Sequence, residues 1–99
     1  MQLHRDDQHL DIKIKRYASG DLAILLEAQG EPWAVASMSL PGLAPDEVAI
    51  KDYSENEGML SDLLAAGVVE QPHRHLAAGF VQAPVCRLTA AARAAQANG

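Results

Sequence analysis

The chain has 99 residues, enough for one domain and too few for two. Hydrophobic residues make up 48% of it and aromatics only 4%, which calls for a mostly aliphatic core with Trp33 and Phe80 as its large fillers. The net charge is −5 and there is no basic run, which argues against direct nucleic-acid binding.

Cys86 is the only cysteine, so no intrachain disulfide forms and the fold does not need an oxidising compartment. The segment Met1–Leu10 is polar and lacks the apolar core of a signal peptide. No apolar run approaches the roughly 18 residues of a membrane span. A cytoplasmic protein is the expectation.

Leu10, Ile12 and Ile14 alternate with Asp11, Lys13 and Lys15, the pattern of a half-buried strand. Ala18-Ser-Gly-Asp21 is a turn. Leu22–Ala28 is apolar on both sides and reads as a central strand, and Gln29-Gly-Glu-Pro32 is the next turn. Trp33–Leu40 is the third strand, with Trp33, Val35 and Ser37 on one face. Two short connections in a row predict an antiparallel meander.

Pro41-Gly-Leu-Ala-Pro45 breaks the pattern, and Val48–Lys51 forms a short fourth strand. Ser54 followed by Glu57 has the spacing of a capping box, and Met59, Leu60, Leu63 and Leu64 then fall on one helical face. These signals predict a helix over residues 55–66, with Gly58 inside it. Gly67 closes it as a left-handed cap, letting Val68 pack on Leu63 in a Schellman arrangement. Glu70–Gly79 is a polar connection. Phe80–Leu88 is a last strand, placed at an edge or bulged because Pro84 cannot donate to a ladder. Thr89 caps a final alanine-rich helix ending near Asn98-Gly99.

The expected fold is therefore α+β. A mainly antiparallel sheet of four or five strands carries one main helix on one face, with a short C-terminal helix. Residues 10–88 form its core, and residues 1–9 and 89–99 are peripheral.

The charge distribution supplies the first candidate site. Asp46, Glu47, Asp52, Glu55, Glu57 and Asp62 are opposed only by Lys51, so this segment carries the whole −5 excess. Helix capping and dipole matching account for Glu55 and Glu57. They leave Asp46, Glu47 and Asp62 free to face a basic partner surface. The other candidates are sparser. His73 and His75 project to the same side of an extended loop and suit a shared metal ion, with Cys86, His4 and His9 as further donors. A zinc site needs about four ligands, and no motif spacing supplies them. Two solvated loop histidines account for the pair without a metal. Cys86 paired with a histidine has the chemistry of a nucleophile and base, but its apolar strand context fits inert packing. No phosphate loop, dinucleotide fingerprint or nucleophile elbow is present. No cofactor, metal or catalytic residue is expected.

The string Lys51-Asp-Tyr-Ser-Glu-Asn-Glu-Gly-Met-Leu60 is joined by Ala66-Gly-Val-Val69 and Gly79-Phe-Val-Gln-Ala-Pro-Val-Cys-Arg-Leu88. Together they resemble a family of small bacterial proteins carried on plasmids and phages. Ala23-Ile-Leu-Leu26 and Gly30-Glu-Pro-Trp-Ala-Val35 are also similar to its first strands. The resemblance covers residues 10–88 and transfers no catalytic residue. It implies a mobile-element accessory protein. Small acidic proteins of such elements include anti-CRISPR inhibitors, many of which occupy a basic nucleic-acid groove on a protein complex. The expected function is thus a non-enzymatic acidic inhibitor that engages a protein with a basic surface, such as a CRISPR effector complex. Two alternatives stand beside it: an accessory module that forms a homodimer through the apolar strands, and a small enzyme or metal protein using His73, His75 or Cys86.

Overall fold

The computed structural model describes residues 1–98, and Gly99 lies outside them. Eight strands and two helices follow in chain order. They are β1 (Gln2–Arg5), β2 (Gln8–Arg16), β3 (Leu22–Ala28), β4 (Glu31–Val35), β5 (Ser37–Met38), β6 (Glu47–Ile50), α1 (Met59–Ala65), β7 (Arg74–Ala78), β8 (Val81–Arg87) and α2 (Ala90–Asn98). The strands make two four-stranded antiparallel sheets, ordered β1-β2-β3-β4 and β5-β6-β8-β7. The α+β class and the β2-β3-β4 meander match the sequence pattern, whereas the single sheet of four or five strands does not.

The second sheet arises where the predicted third strand breaks. Residues 31–38 pair first with β3 and then with β6, changing sheets at the buried Ala36. The corner is secured by hydrogen bonds. Ala36 N–H donates to the Ile24 carbonyl at 2.8 Å, and Ile24 N–H donates to Ser37 Oγ at 2.8 Å. The buried Ser37 hydroxyl thus replaces a lost ladder bond.

Two strands escape the sequence reading. In β1 only Leu3 is buried, so four residues carry too little periodicity to detect. Its hairpin to β2 turns through Asp6 and Asp7, both at positive φ, as a two-residue primed turn requires. Strand β7 replaces the predicted polar connection, because Arg74, His75 and Ala77 are exposed at the edge of the second sheet. Strand β8 is interior rather than at an edge. Pro84 is accommodated because the β6–β8 ladder ends at Ala49↔Val85, one residue short of it.

One core joins both sheets. Leu10, Ile12, Ile24 and Leu26 from the first sheet meet Val48, Ile50, Cys86 and Leu88 from the second, with Met59 and Leu63 of α1. Leu3 and Ala92 belong to the same cluster, so the core draws on residues outside 10–88. The expected aromatic fillers are displaced: Trp33 is only partly buried, and Phe80 is fully exposed.

The helix ends divide between local and distant control. The Schellman closure forms as expected, with Gly67 N–H donating to Leu64 O at 3.1 Å and Val68 N–H to Leu63 O at 3.0 Å. Thr89 caps α2, its Oγ1 accepting from Ala92 N–H at 3.1 Å and donating to Gly67 O at 2.6 Å. The capping box does not form. Ser54–Asn56 is a separate 3-10 turn with Ser54 at φ 58°, and α1 starts only after Gly58, whose φ of 89° suits glycine. No side chain of this turn caps α1. The Asn56 amide instead reaches the Val35 carbonyl at 2.8 Å.

Candidate functional site

The acidic segment is dispersed by the fold. Glu47 begins β6, and alternation turns its side chain off the core face onto the other face of the second sheet. There it is 3% exposed. Its carboxylate accepts from Arg74 Nε at 3.0 Å, Arg74 Nη2 at 2.6 Å and Ala44 N–H at 2.9 Å. These donors hold its carboxyl far below the usual carboxylate range, the Arg74 hydrogen bonds contributing most, then the Ala44 amide, against the opposing effect of burial. His73 Nε2 lies 2.5 Å from Oε2, and with the carboxylate ionised the imidazole nitrogen is the donor. Arg74 Nη2 also donates to Gly42 O at 2.7 Å. This cluster pins the loop between β5 and β6 to the edge strand β7. Glu47 is therefore removed from the acidic face.

The other five acids lie nearer the surface. Asp46 receives Arg87 Nε at 2.9 Å, and Asp62 receives Arg5 Nη1 at 2.6 Å. Glu55 stands 3.5 Å from Lys51 Nζ. Its carboxyl is held below the usual range first by its own backbone amide, then by Ser54 and Lys51. The Glu57 side chain is exposed, while its carbonyl accepts from Arg5 Nη2 at 2.8 Å. Asp52 is partly buried, with Oδ1 shielded and unpartnered. The fold brings together the neighbourhood of Arg5, Glu55, Glu57 and Asp62, but Asp46 and Glu47 lie elsewhere, at the turn into β6.

The histidine and cysteine candidates separate as well. His73 is engaged by Glu47, and His75 sits exposed on β7. His4 and His9 pair across β1 and β2, with ring centroids 4.8 Å apart. Among the described residues no group of three His, Cys, Asp or Glu side chains is gathered for a metal. Cys86 is fully buried, and burial pushes its thiol up to about 11, so it is a protonated packing residue at neutral pH. A polar chain does lie at the surface, where Ser39 Oγ donates to Asp21 Oδ2 at 2.5 Å and meets Ser19 Oγ at 2.7 Å. Both serines are exposed.

The least expected features are apolar. A groove of about 320 Å³ opens beside β3 and β4, lined by Leu25, Glu27, Pro32, Trp33 and Val35. It arises where the ladder slips at Leu26/Glu27, giving β4 an extra residue around Trp33. Val35 is 42% exposed across from Leu25. The second feature is Phe80. Ala78 pairs with Val81, leaving Gly79 and Phe80 as a two-residue hairpin turn. Gly79 has φ 66° and Phe80 is not at positive φ, the signature of a type II′ turn with glycine first. The turn lifts the Phe80 ring off the sheet at 110% relative exposure. The Gly-Phe pair between apolar residues carried that signal in the sequence, once residues 74–78 are recognised as a strand.

No family model matches the chain, and no curated protein or solved structure matches it.

Proposed function

We propose that the chain is a non-enzymatic binding module, in keeping with an accessory protein of a mobile element, and that it takes an apolar side chain of a protein partner in the β3–β4 groove. The carrying observation is that Leu25, Pro32, Trp33 and Val35 leave an apolar depression open on a surface otherwise rich in charge. The buried thiol of Cys86 and the engagement of His73 by Glu47 leave little support for a catalytic reading.

Trp33 is the only tryptophan and lines the groove, so its emission reports occupancy directly. Titration of N-acetylphenylalaninamide into dilute protein should give a saturable change in Trp33 emission. Val35→Asp should abolish that change without altering the circular dichroism spectrum. A linear, unsaturable response, or one unaffected by Val35→Asp, would refute the groove.

The exposure of Glu55 and Glu57 supports a second reading, in which a basic partner such as a CRISPR effector complex docks on these acids and Asp52. It draws less on Asp46 and Asp62, which already hold arginines. Association driven by these acids would slow steeply with salt, and Glu55→Lys with Glu57→Lys would slow it further. Rates independent of both would eliminate this reading.

A further inference from the structure

We infer that the groove's occupant is the Phe80 hairpin of a second copy of this chain, so that copies join head to tail. The inference rests on the groove reading above and names its partner. The two halves of such a contact are both present and both unused. Phe80 is fully exposed at the β7–β8 turn, so its ring is seated nowhere in its own chain. The β3–β4 groove is apolar, open and large enough to admit a ring between Leu25, Pro32, Trp33 and Val35. Leaving an aromatic ring in water forgoes the burial of 150–250 Å² that such rings typically contribute at interfaces.

The charges around the groove permit this pairing. Glu27 lines the groove and the exposed Glu31 lies beside it on β4, with Lys13 across from Leu25 on β2. The hairpin brings no acid. From His75 to Cys86 there is no Asp, Glu, Lys or Arg, and the nearest charges are Arg74 and Arg87. The hairpin therefore meets Glu27 and Glu31 without repulsion. A knob and a groove at different places on one surface make a heterologous contact, which propagates into rings or open chains rather than closing as a two-fold dimer. A single aromatic anchor in a shallow groove falls below the roughly 1,200 Å² of a standard interface, so the association is weak, with Kd on the order of 100 μM.

Sedimentation velocity on the full chain from about 10 to 500 μM tests this, the range bracketing that weak association. The wild type should sediment progressively faster as concentration rises. Phe80→Ser and Val35→Asp should each stay monomeric while keeping the wild-type circular dichroism spectrum, since both side chains are exposed. An equimolar mixture of the two variants should form a one-to-one complex and stop there, because one supplies only a groove and the other only a ring. Self-association of Val35→Asp alone would overturn the proposal in favour of pairing through the β7 edge. A monomeric wild type throughout would also overturn it. The groove itself would survive that result if N-acetylphenylalaninamide still bound saturably, leaving a different protein as its partner. Loss of probe binding in a chain that stays monomeric would remove both.

Discussion

Two arginine–carboxylate clusters fasten irregular segments to the sheets, and they are mirror images in burial. At the start of β6 the acid is the buried member: the Glu47 side chain is 4% exposed and that of Arg74 39%. Beside α1 the base is buried, with Arg5 at 10% and Asp62 at 29%. Arg5 crosses from β1 to hold Asp62 and the carbonyls of Glu55 and Glu57, so it organises the 3-10 turn and the first turn of α1. Arg74 holds Glu47 and the carbonyl of Gly42, so it organises the loop between β5 and β6. The lesson concerns which partner is dispensable. Removing the more exposed member strands a buried charge, whereas removing the buried member frees a group that water can solvate.

The largest effect should follow Arg74→Met. It leaves the Glu47 carboxylate buried with only His73 and the Ala44 amide, and should give the greatest loss of stability in urea unfolding. Glu47→Gln should cost less, because the freed guanidinium is partly solvated. Equal losses for the two variants would break the asymmetry.

Arg5→Met should cost about 2 kcal/mol, since it removes charge-assisted bonds to Asp62 and two carbonyls without stranding a buried carboxylate. Hydrogen exchange should then quicken at the start of α1 and not in β6. A uniform loss of protection would show that Arg5 does not act locally.

Acid should separate the clusters further. The Glu47 carboxyl is depressed in the folded state, so its contribution to stability is complete above its ordinary value of 4.5 and is lost as pH falls below it. Between about pH 4.5 and 2, the wild type should lose more stability than Glu47→Gln, which has no proton to take up at this site. Parallel curves for the two proteins would mean the depressed carboxyl lies elsewhere.

The smallest effects lie at the helix starts. Thr89→Ala should cost about 1 kcal/mol, because its hydroxyl both caps α2 and holds Gly67 O. Ser54→Ala should shift stability by less than about 0.5 kcal/mol, because Ser54 is exposed and caps nothing. A loss at Ser54 equal to that at Thr89 would return control of α1 to a local cap.

The sequence by itself determined the features whose partners lie within a few residues. The alternation of Leu10, Ile12 and Ile14 identified β2, and the apolar run Leu22–Ala28 identified β3. The spacing of Met59, Leu60, Leu63 and Leu64 identified the buried face of α1. Gly67 and Thr89 marked helix ends through hydrogen bonds reaching no more than five residues along the chain. Tertiary structure decided the rest. Arg5 meets Asp62 across 57 residues and Arg74 meets Glu47 across 27, distances over which no periodicity speaks. The same distant contacts drew Glu47 inward from what read as an acidic face, and Arg5 fastened the turn that displaced the start of α1. Phe80 read as core because it is apolar, yet a two-residue turn has no sheet beneath it. Once β7 paired with β8, its ring was left in water. Hydrophobicity states what a side chain would gain by burial, and only the assembled topology decides whether a burial site is within reach.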